Sequence, residues 1–173
     1  VGASTTESDY FGRSVALDGD TAVIGAHYYD GINTKTGAAY VFVRSASVWT
    51  EQVQLTTTSS QGHQYFGNHV DLEGDTALVS AYGDNANGEM SGAVYVFDRV
   101  GTSWSETQKL GASDGAGYDI FGERAAIDGD TIFVGARQDD DLGSDSGSVY
   151  VFERAGSTWY EAQKLAAADG VED

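Results

Sequence analysis

Residues 11–26 read FGRSVALDGDTAVIGA, and this stretch decides the fold. It returns as FGNHVDLEGDTALVSA at residues 66–81 and as FGERAAIDGDTIFVGA at residues 121–136. A Tyr-Val-Phe run at residues 40–42 and Trp49 recur downstream with the same spacing of 55 residues. A fixed period of this length is typical of repeat architectures. The sequence therefore predicts three tandem copies of one module.

Each copy has the hydrophobic pattern of short β-strands, with apolar residues alternating or in brief runs. In the first copy the predicted strands lie around residues 15–17, 21–24, 39–43 and 49–55. Asp18-Gly19 is expected to form a two-residue type I′ turn. We expect Asp20, and its equivalents Asp75 and Asp130, to accept backbone hydrogen bonds within that turn.

Four short antiparallel strands in a module of 55 residues predict an all-β fold made of propeller blades. A β-solenoid fits less well because its coils are shorter. We expect one repeat domain, 1–173, with blades at about 1–55, 56–110 and 111–165 and a tail at 166–173. Tyr40, Phe42, Trp49 and their repeats are expected to pack blade against blade, because single blades cannot bury both faces alone.

The landmarks Phe-Gly, Asp-Gly-Asp-Thr, Gly-Ala and Tyr-Val-Phe, followed by Trp, resemble the FG-GAP repeat family in all three copies. That family includes the blades of the integrin α-subunit propeller and many bacterial surface proteins. The second copy departs slightly, with Ser80-Ala81 in place of Gly-Ala. The resemblance implies a propeller that acts as a non-catalytic, extracellular or cell-surface binding or adhesion module. A structural scaffold without a ligand of its own is the alternative.

The resemblance does not extend to the calcium site of integrin-type blades. Those blades carry an Asp-rich loop between their first two strands, whereas the connection here is only Asp18-Gly19 or its equivalent. Two residues cannot wrap the about six to eight oxygen ligands that Ca²⁺ prefers. We therefore do not expect calcium at that position.

The composition is strongly acidic, with 27 Asp and Glu against 9 Lys and Arg and a net charge of −18. Such a field repels a phosphate backbone, so nucleic-acid binding is not expected. No apolar run approaches the about 20 residues of a membrane span. Cys is absent, which excludes disulfides and thiolate metal sites. Because Val1 is not an initiator methionine, we expect a mature product or an excised fragment.

The long segments of the module are predicted to share one face of the propeller. They are the loops between the second and third strands and the links between blades. His27, Tyr82 and Arg137 head equivalent loops, and Tyr28 and Tyr29 follow the first of them. Aromatic and arginine side chains suit partner contacts, so these five residues are the candidate ligand-binding set. Ordinary surface variation is the alternative interpretation.

The same loops hold the densest group of oxygen ligands. Oxygen-only donors favour Ca²⁺ or Mg²⁺, and calcium is the possible cofactor. The alternative is a solvated acidic loop, since neither spacing matches a known site. The candidate metal ligands are Asp139, Asp140, Asp141 and Asp145 in the third copy, and Asp84, Asn85 and Asn87 in the second.

The sequence shows no nucleophile elbow, zinc motif or phosphate loop, so an enzyme is not expected. Three blades do not comfortably close a ring, because propellers typically have about four to eight. We predict a homodimer that completes a six-bladed ring. A fragment of a longer propeller and an open arc with capped ends are the alternatives.

Overall fold

The computed structural model describes residues 8–58 and 61–167, which contain β-strands as their regular structure. Within these ranges no helix is long and apolar enough to cross a membrane. The strands form three four-stranded antiparallel sheets, each in sequence order, which confirms the prediction of four-stranded blades. Their bounds are β1 (Ser14–Asp18), β2 (Thr21–Ala26), β3 (Ala38–Ser45), β4 (Val48–Leu55), β5 (Val70–Glu73), β6 (Thr76–Ala81), β7 (Ala93–Val100), β8 (Ser103–Leu110), β9 (Phe121–Asp128), β10 (Thr131–Ala136), β11 (Ser148–Ala155) and β12 (Thr158–Leu165).

The turn between β1 and β2 differs from the predicted one. Asp18 pairs with Thr21 as the last rung of the ladder, so the two loop residues are Gly19 and Asp20. Gly19 has a positive φ of 53°, whereas Asp20 does not. A type I′ turn needs positive φ at both positions, so that prediction was wrong. Glycine at the first position alone fits a type II′ turn.

The Asp20 carboxylate has a side-chain partner rather than the predicted backbone partner in the turn. Arg44 on β3 donates from Nε to Asp20 Oδ1 over 2.7 Å. Its guanidinium also lies 5.3 Å from the ring centre of Trp49 on β4. The same clamp recurs as Asp75–Arg99–Trp104 and Asp130–Arg154–Trp159. Each clamp ties the first turn of a blade to its two outer strands.

The hydrophobic core lies between neighbouring blades. Val23, Val41 and Leu55 of the first blade pack against Phe66 and Val79 of the second. Leu78, Val94, Val96 and Leu110 of the second blade pack in turn against Phe121, Ile132, Tyr150 and Trp159 of the third. This confirms the predicted blade-on-blade packing of the aromatic landmarks in the second and third copies. In the first copy Tyr40 is buried, but Trp49 is 40% exposed.

Close backbone contacts join consecutive blades at one end of the sheets. Gly92, just before β7, forms a parallel bridge with Phe121, and a Cβ at Gly92 would overlap the Phe121 carbonyl oxygen. The next link runs along the preceding loop, as shown by Tyr118 donating its N–H to Glu89 O over 2.7 Å. The predicted sharing of one face is thus confirmed. We call it the loop face: loops 27–37, 82–92 and 137–147 with the described parts of links 8–13, 56–69 and 111–120.

At the opposite end, each blade makes a polar contact with the next. The carboxylate of Asp18, at the end of β1, accepts the Gly74 N–H over 2.7 Å. Glu73 occupies the same position in the second blade and accepts the Gly129 N–H over 2.6 Å. The first turn of each following blade is therefore held by the acidic residue at the end of the preceding blade's innermost strand.

Candidate functional site

A cavity of about 560 Å³ opens on the loop face and is lined by residues from all three blades. Three of its lining residues directly follow the equivalent strands β2, β6 and β10, which brings them to corresponding places on neighbouring blades. Its polar and aromatic lining comprises Tyr10, Arg13, His27, Tyr28, Asn68, Tyr82, Glu123 and Arg137.

The structure brings together four of the five predicted ligand residues. His27, Tyr28, Tyr82 and Arg137 line the cavity. Tyr29 does not line it, and packs instead with Ala26, Ala38 and Tyr40 of its own blade. Adjacent residues on an irregular loop point in different directions, and the sequence alone could not separate Tyr28 from Tyr29.

Aromatic rings form a continuous row across the first two blades. Tyr10 meets Tyr28 edge to face at 4.9 Å, and Tyr28 lies 5.5 Å from Tyr65. Tyr65 then stacks on Tyr82 at 4.8 Å with nearly parallel planes. Such rings expose flat faces with negative charge density to a ligand.

Burial keeps the side chains of His27 and Tyr82 uncharged near neutral pH. Burial, followed by the charges of Arg13 and Lys35, lowers the pKa of His27 to about 4. Its Nδ1 has no hydrogen-bond partner among the residues that the structure describes. Burial also raises the pKa of Tyr82 to about 12. The charges that line the cavity are therefore those of Arg13, Arg137 and Glu123.

The third-blade loop contributes to a separate acidic cluster beside β12. Carboxylate oxygens of Asp114, Asp139 and Asp141 lie within 4.8 Å of one another, so the cluster could hold a metal ion. The ammonium group of Lys164 lies among them, 2.9 Å from Asp114, 2.8 Å from Asp139 and 2.5 Å from Asp141. A divalent ion and this ammonium cannot occupy the same place, so the protein supplies its own counterion.

Against the effect of burial, Lys164 lowers the pKa values of Asp139 and Asp114 in this cluster. Burial alone would raise the pKa of Asp139, but hydrogen bonds from Lys164 and Tyr150 outweigh it and hold the pKa below its usual value. Burial is also the largest single effect on Asp114 and would raise its pKa, but hydrogen bonds from Lys164 and Tyr150 together outweigh it and lower the pKa. Burial would lower the pKa of Lys164, but its carboxylate partners raise it. The ion pair is thus fully formed at neutral pH.

The other predicted metal ligands of the third loop stand outside this cluster. Asp145 accepts a hydrogen bond from Gln138 Nε2 over 3.2 Å. The backbone oxygen of Asp140 accepts the Gly143 N–H over 3.2 Å within the loop. Of the four predicted residues, the structure gathers Asp139 and Asp141, and it adds Asp114 from the preceding link.

The second blade has a more deeply buried version of the same arrangement. Lys109 Nζ lies 2.8 Å from both carboxylate oxygens of Asp84, which is fully buried. Tyr95 and Gln64 each donate a further hydrogen bond to Asp84. The predicted ligands Asn85 and Asn87 have other partners, the Met90 N–H and the Ala112 carbonyl. We call Asp84–Lys109 and Asp139–Lys164, each with its tyrosine, the Asp–Lys centres.

A comparison with models of known protein families identifies the family of this chain. The family model described as FG-GAP repeat matches residues 3–42, 49–97 and 104–152, and each segment contains one Phe-Gly landmark. The chain belongs to the FG-GAP repeat family. No curated protein gives a significant match. Together with the three four-stranded sheets, the FG-GAP match supports a propeller-type module.

The FG-GAP frame shows how the first copy differs at the Asp–Lys position. Tyr29 and Gln54 stand where the later copies have aspartate and lysine. Gln54 donates from Nε2 to the Tyr40 hydroxyl over 3.2 Å. The first blade therefore has an uncharged hydrogen bond where the later blades have an ion pair. Aspartate and lysine thus occur together, 25 residues apart, or not at all.

The sequence patterns did not indicate several residues that the structure places at the candidate site. Tyr10 and Ile120 line the cavity, and Tyr65, their equivalent in the second blade, joins the aromatic row. All three precede the Phe-Gly landmark and have positive φ values of 54°, 57° and 56°. Non-glycine residues rarely adopt this conformation. An aromatic residue directly before Phe-Gly in two of three FG-GAP copies was the available signal.

Proposed function

We propose that this FG-GAP chain is a non-catalytic binding module that acts outside the cell or at its surface. Recognition of a protein or glycan takes place on the loop face. The observation that carries this proposal is the cavity, where a regular three-blade frame presents a different side chain from each blade. Binding specificity is commonly carried by such variable loops on a rigid scaffold.

The chemistry of the cavity favours binding over catalysis. His27 is buried and uncharged, and its low pKa removes it from proton transfer near neutral pH. Glu123 is held by Arg137 in an ion pair of 2.6 Å. Neither side chain is therefore set up as a general acid or base.

An array of surface glycans and extracellular proteins tests the proposal. We compare the wild-type chain with a double variant, Tyr10→Ala with Arg137→Ala, because both side chains are exposed at the cavity. Val100→Thr is the control, since Val100 is 81% exposed at the end of β7 farthest from the loop face. Binding that the double variant loses and the control retains supports the proposal. An array without a ligand supports the scaffold alternative.

We also propose that a second copy covers the two outer faces and completes a six-bladed ring. Val15 and Leu17 are 69% and 67% exposed, whereas their equivalents Val70 and Leu72 are buried by the first blade. On the third blade, Phe133 is 44% exposed where Leu78 is fully buried. The two exposed faces are therefore the two halves of an interface that occurs twice within the chain. Light scattering should give twice 18.2 kDa, and a monomer would contradict this proposal.

Calcium is a further candidate ligand, and we propose that it would compete with Lys164 for the acidic cluster. The three carboxylates are suitable donors, but the ammonium group must leave before an ion can enter. Equilibrium dialysis should show more Ca²⁺ bound to Lys164→Ala than to the wild type. Lack of uptake by both proteins at millimolar calcium would end the calcium hypothesis.

A further inference from the structure

The positive charges of this acidic chain are unevenly distributed. Three of its nine basic residues belong to the Asp–Arg–Trp clamps, and Lys109 and Lys164 belong to the Asp–Lys centres. The remaining four belong to neither arrangement. They are Arg13, Lys35, Arg124 and Arg137.

Most of these four cations gather at the cavity on the loop face. Arg13 and Arg137 line it, and Lys35 places its ammonium 4.5 Å from the ring centre of Tyr28, which also lines it. Arg13 is exposed and has no carboxylate partner among the described residues. Arg137 shares its charge with Glu123. Within the described part of the chain, the cavity therefore presents the Arg13 guanidinium without a paired carboxylate, in a protein of net charge −18.

The aromatic row lies beside these charges. Tyr10 is 57% exposed, and Tyr28, Tyr65 and Tyr82 are half-buried, so their rings are fixed while part of their surface stays accessible. A sugar ring can place its C–H bonds against the negative face of such a ring. A carboxylate such as that of Glu123 can accept hydrogen bonds from hydroxyl groups, and a guanidinium can bind a carboxylate through two parallel hydrogen bonds.

We propose that the cavity binds a carboxylated sugar, such as a uronic acid unit of a polysaccharide. The ring packs on Tyr10 and Tyr28, and the carboxylate pairs with Arg13. This inference rests on the proposed function and specifies its ligand class. The net charge of −18 favours a ligand segment with few carboxylates over a long run of charged units, because a long polyanion is repelled by the rest of the surface.

Calorimetry on the full chain tests this ligand class with three probes at one salt concentration. They are a galacturonic acid trisaccharide, the neutral galactose trisaccharide and a triglutamate peptide. We expect the acidic sugar to bind about tenfold more tightly than either other probe, because it alone supplies both a sugar ring and a carboxylate. Equal binding of the neutral sugar would overturn the role of the carboxylate. Equal binding of triglutamate would replace the sugar by an acidic peptide.

Matched charge variants locate the site. Arg13→Gln should weaken binding of the acidic trisaccharide about tenfold, since it removes a charge-assisted hydrogen bond. Arg124→Gln makes the same change in net charge nearby, but Arg124 does not line the cavity and bonds to the Glu123 carbonyl, so affinity should be unchanged. Both side chains are exposed, and unchanged melting temperatures would show that both variants fold.

Chemical-shift mapping by NMR separates failure of this inference from failure of the proposed function. Shifts centred on Tyr28 and Arg13 support the carboxylated-sugar site. If a ligand from the array shifts loop-face residues while the acidic trisaccharide shifts none, the inference is overturned and the proposed function stands. If every array ligand shifts only residues away from the loop face, both are overturned.

Discussion

The first and third blades are built from the same repeat, but their equivalent residues have different neighbours. Trp159 is 3% exposed because the second blade covers it, whereas Trp49, its counterpart in the first blade, is 40% exposed. Each tryptophan has the equivalent arginine above its ring, Arg44 in the first blade and Arg154 in the third. The tryptophan is therefore fixed within its own blade, and the preceding blade determines how much of it is buried.

The two blades also fill one internal position in different ways. The third blade has the ion pair of Asp139 and Lys164, and the first has Tyr29 and Gln54. A buried carboxylate is costly without its partner, which explains why both charges are present or both absent. The repeat therefore preserves a satisfied set of hydrogen-bond and charge partners rather than particular residues.

Substitution of the two tryptophans should give the largest difference between the blades. Trp159→Ala should lower the free energy of unfolding by about 4 kcal/mol, because it empties a packed interface. Trp49→Ala should cost about 1 kcal/mol in the monomeric chain, because a large part of that ring then faces solvent. Urea unfolding of both variants, at a protein concentration low enough to keep the chain monomeric, measures the difference. Equal losses at that concentration would contradict the exposure of Trp49.

Removal of one charge from an Asp–Lys centre should have the next largest effect. Lys164→Met should cost about 3 kcal/mol, because it leaves the buried Asp139 without its counterion. Lys35→Met is the control, since Lys35 is on the loop face outside both centres, and its effect should stay within about 0.5 kcal/mol. Thermal unfolding with both variants provides the measurement. A Lys164→Met protein as stable as the control would show that the remaining donors, chiefly Tyr150 and Ser148, satisfy the carboxylate.

Transfer of the first-blade residues to the third blade should have the smallest effect at neutral pH. The variant combines Asp114→Ser, Asp139→Tyr and Lys164→Gln, and we expect its stability to change by about 1 kcal/mol or less. Its response to acid should differ from the wild type. The pKa values of Asp114 and Asp139 are lowered in the folded state, so their stabilisation is complete above their unfolded pKa and is lost as pH falls through the folded value.

The pH profile of the melting temperature distinguishes the two proteins. Below about pH 4 the wild type should lose stability more steeply than the exchanged variant. Burial raises the pKa values of Asp119 and Glu106, which act in the opposite direction, and both residues stay in place. The charge of Asp139 is a smaller cause of the raised pKa of Asp119, so its removal weakens that opposing contribution in the variant and works against the expected difference. A steeper loss of stability in the wild type would therefore report the Asp–Lys centre. Parallel profiles would contradict its contribution.

Much of the fold could be predicted because it depends on local patterns repeated three times. Alternation around Val15 and the turn glycines mark each strand and its end. The first turn type was missed, because Asp18-Gly19 favours positive φ at both residues in general, and here Asp18 belongs to the strand. The local sequence indicates that a turn is favoured, but the pairing of β1 with β2 determines at which residue the turn begins.

The candidate site was only partly predictable because its contacts join residues that are far apart in the sequence. Asp114 and Lys164 meet across 50 residues, and no local pattern shows an ammonium among the acidic side chains. The sequence did indicate that a lysine accompanies the aspartate. Later copies have Asp84 with Lys109 and Asp139 with Lys164, whereas the first copy has Tyr29 with Gln54. The convergence of His27, Tyr82 and Arg137 was predictable, since equivalent positions of adjacent blades must be neighbours.

The contact between Asp18 and the Gly74 amide has a consequence for how such chains lengthen. The acceptor lies at the end of one strand, and the donor lies in the turn that follows the equivalent strand of the next blade. Duplication of one 55-residue unit in the gene therefore copies both halves of the contact at once. Asp128 occupies the same acceptor position at the end of β9 in the third blade. Tandem growth can thus proceed by whole units without new mutations at the junctions.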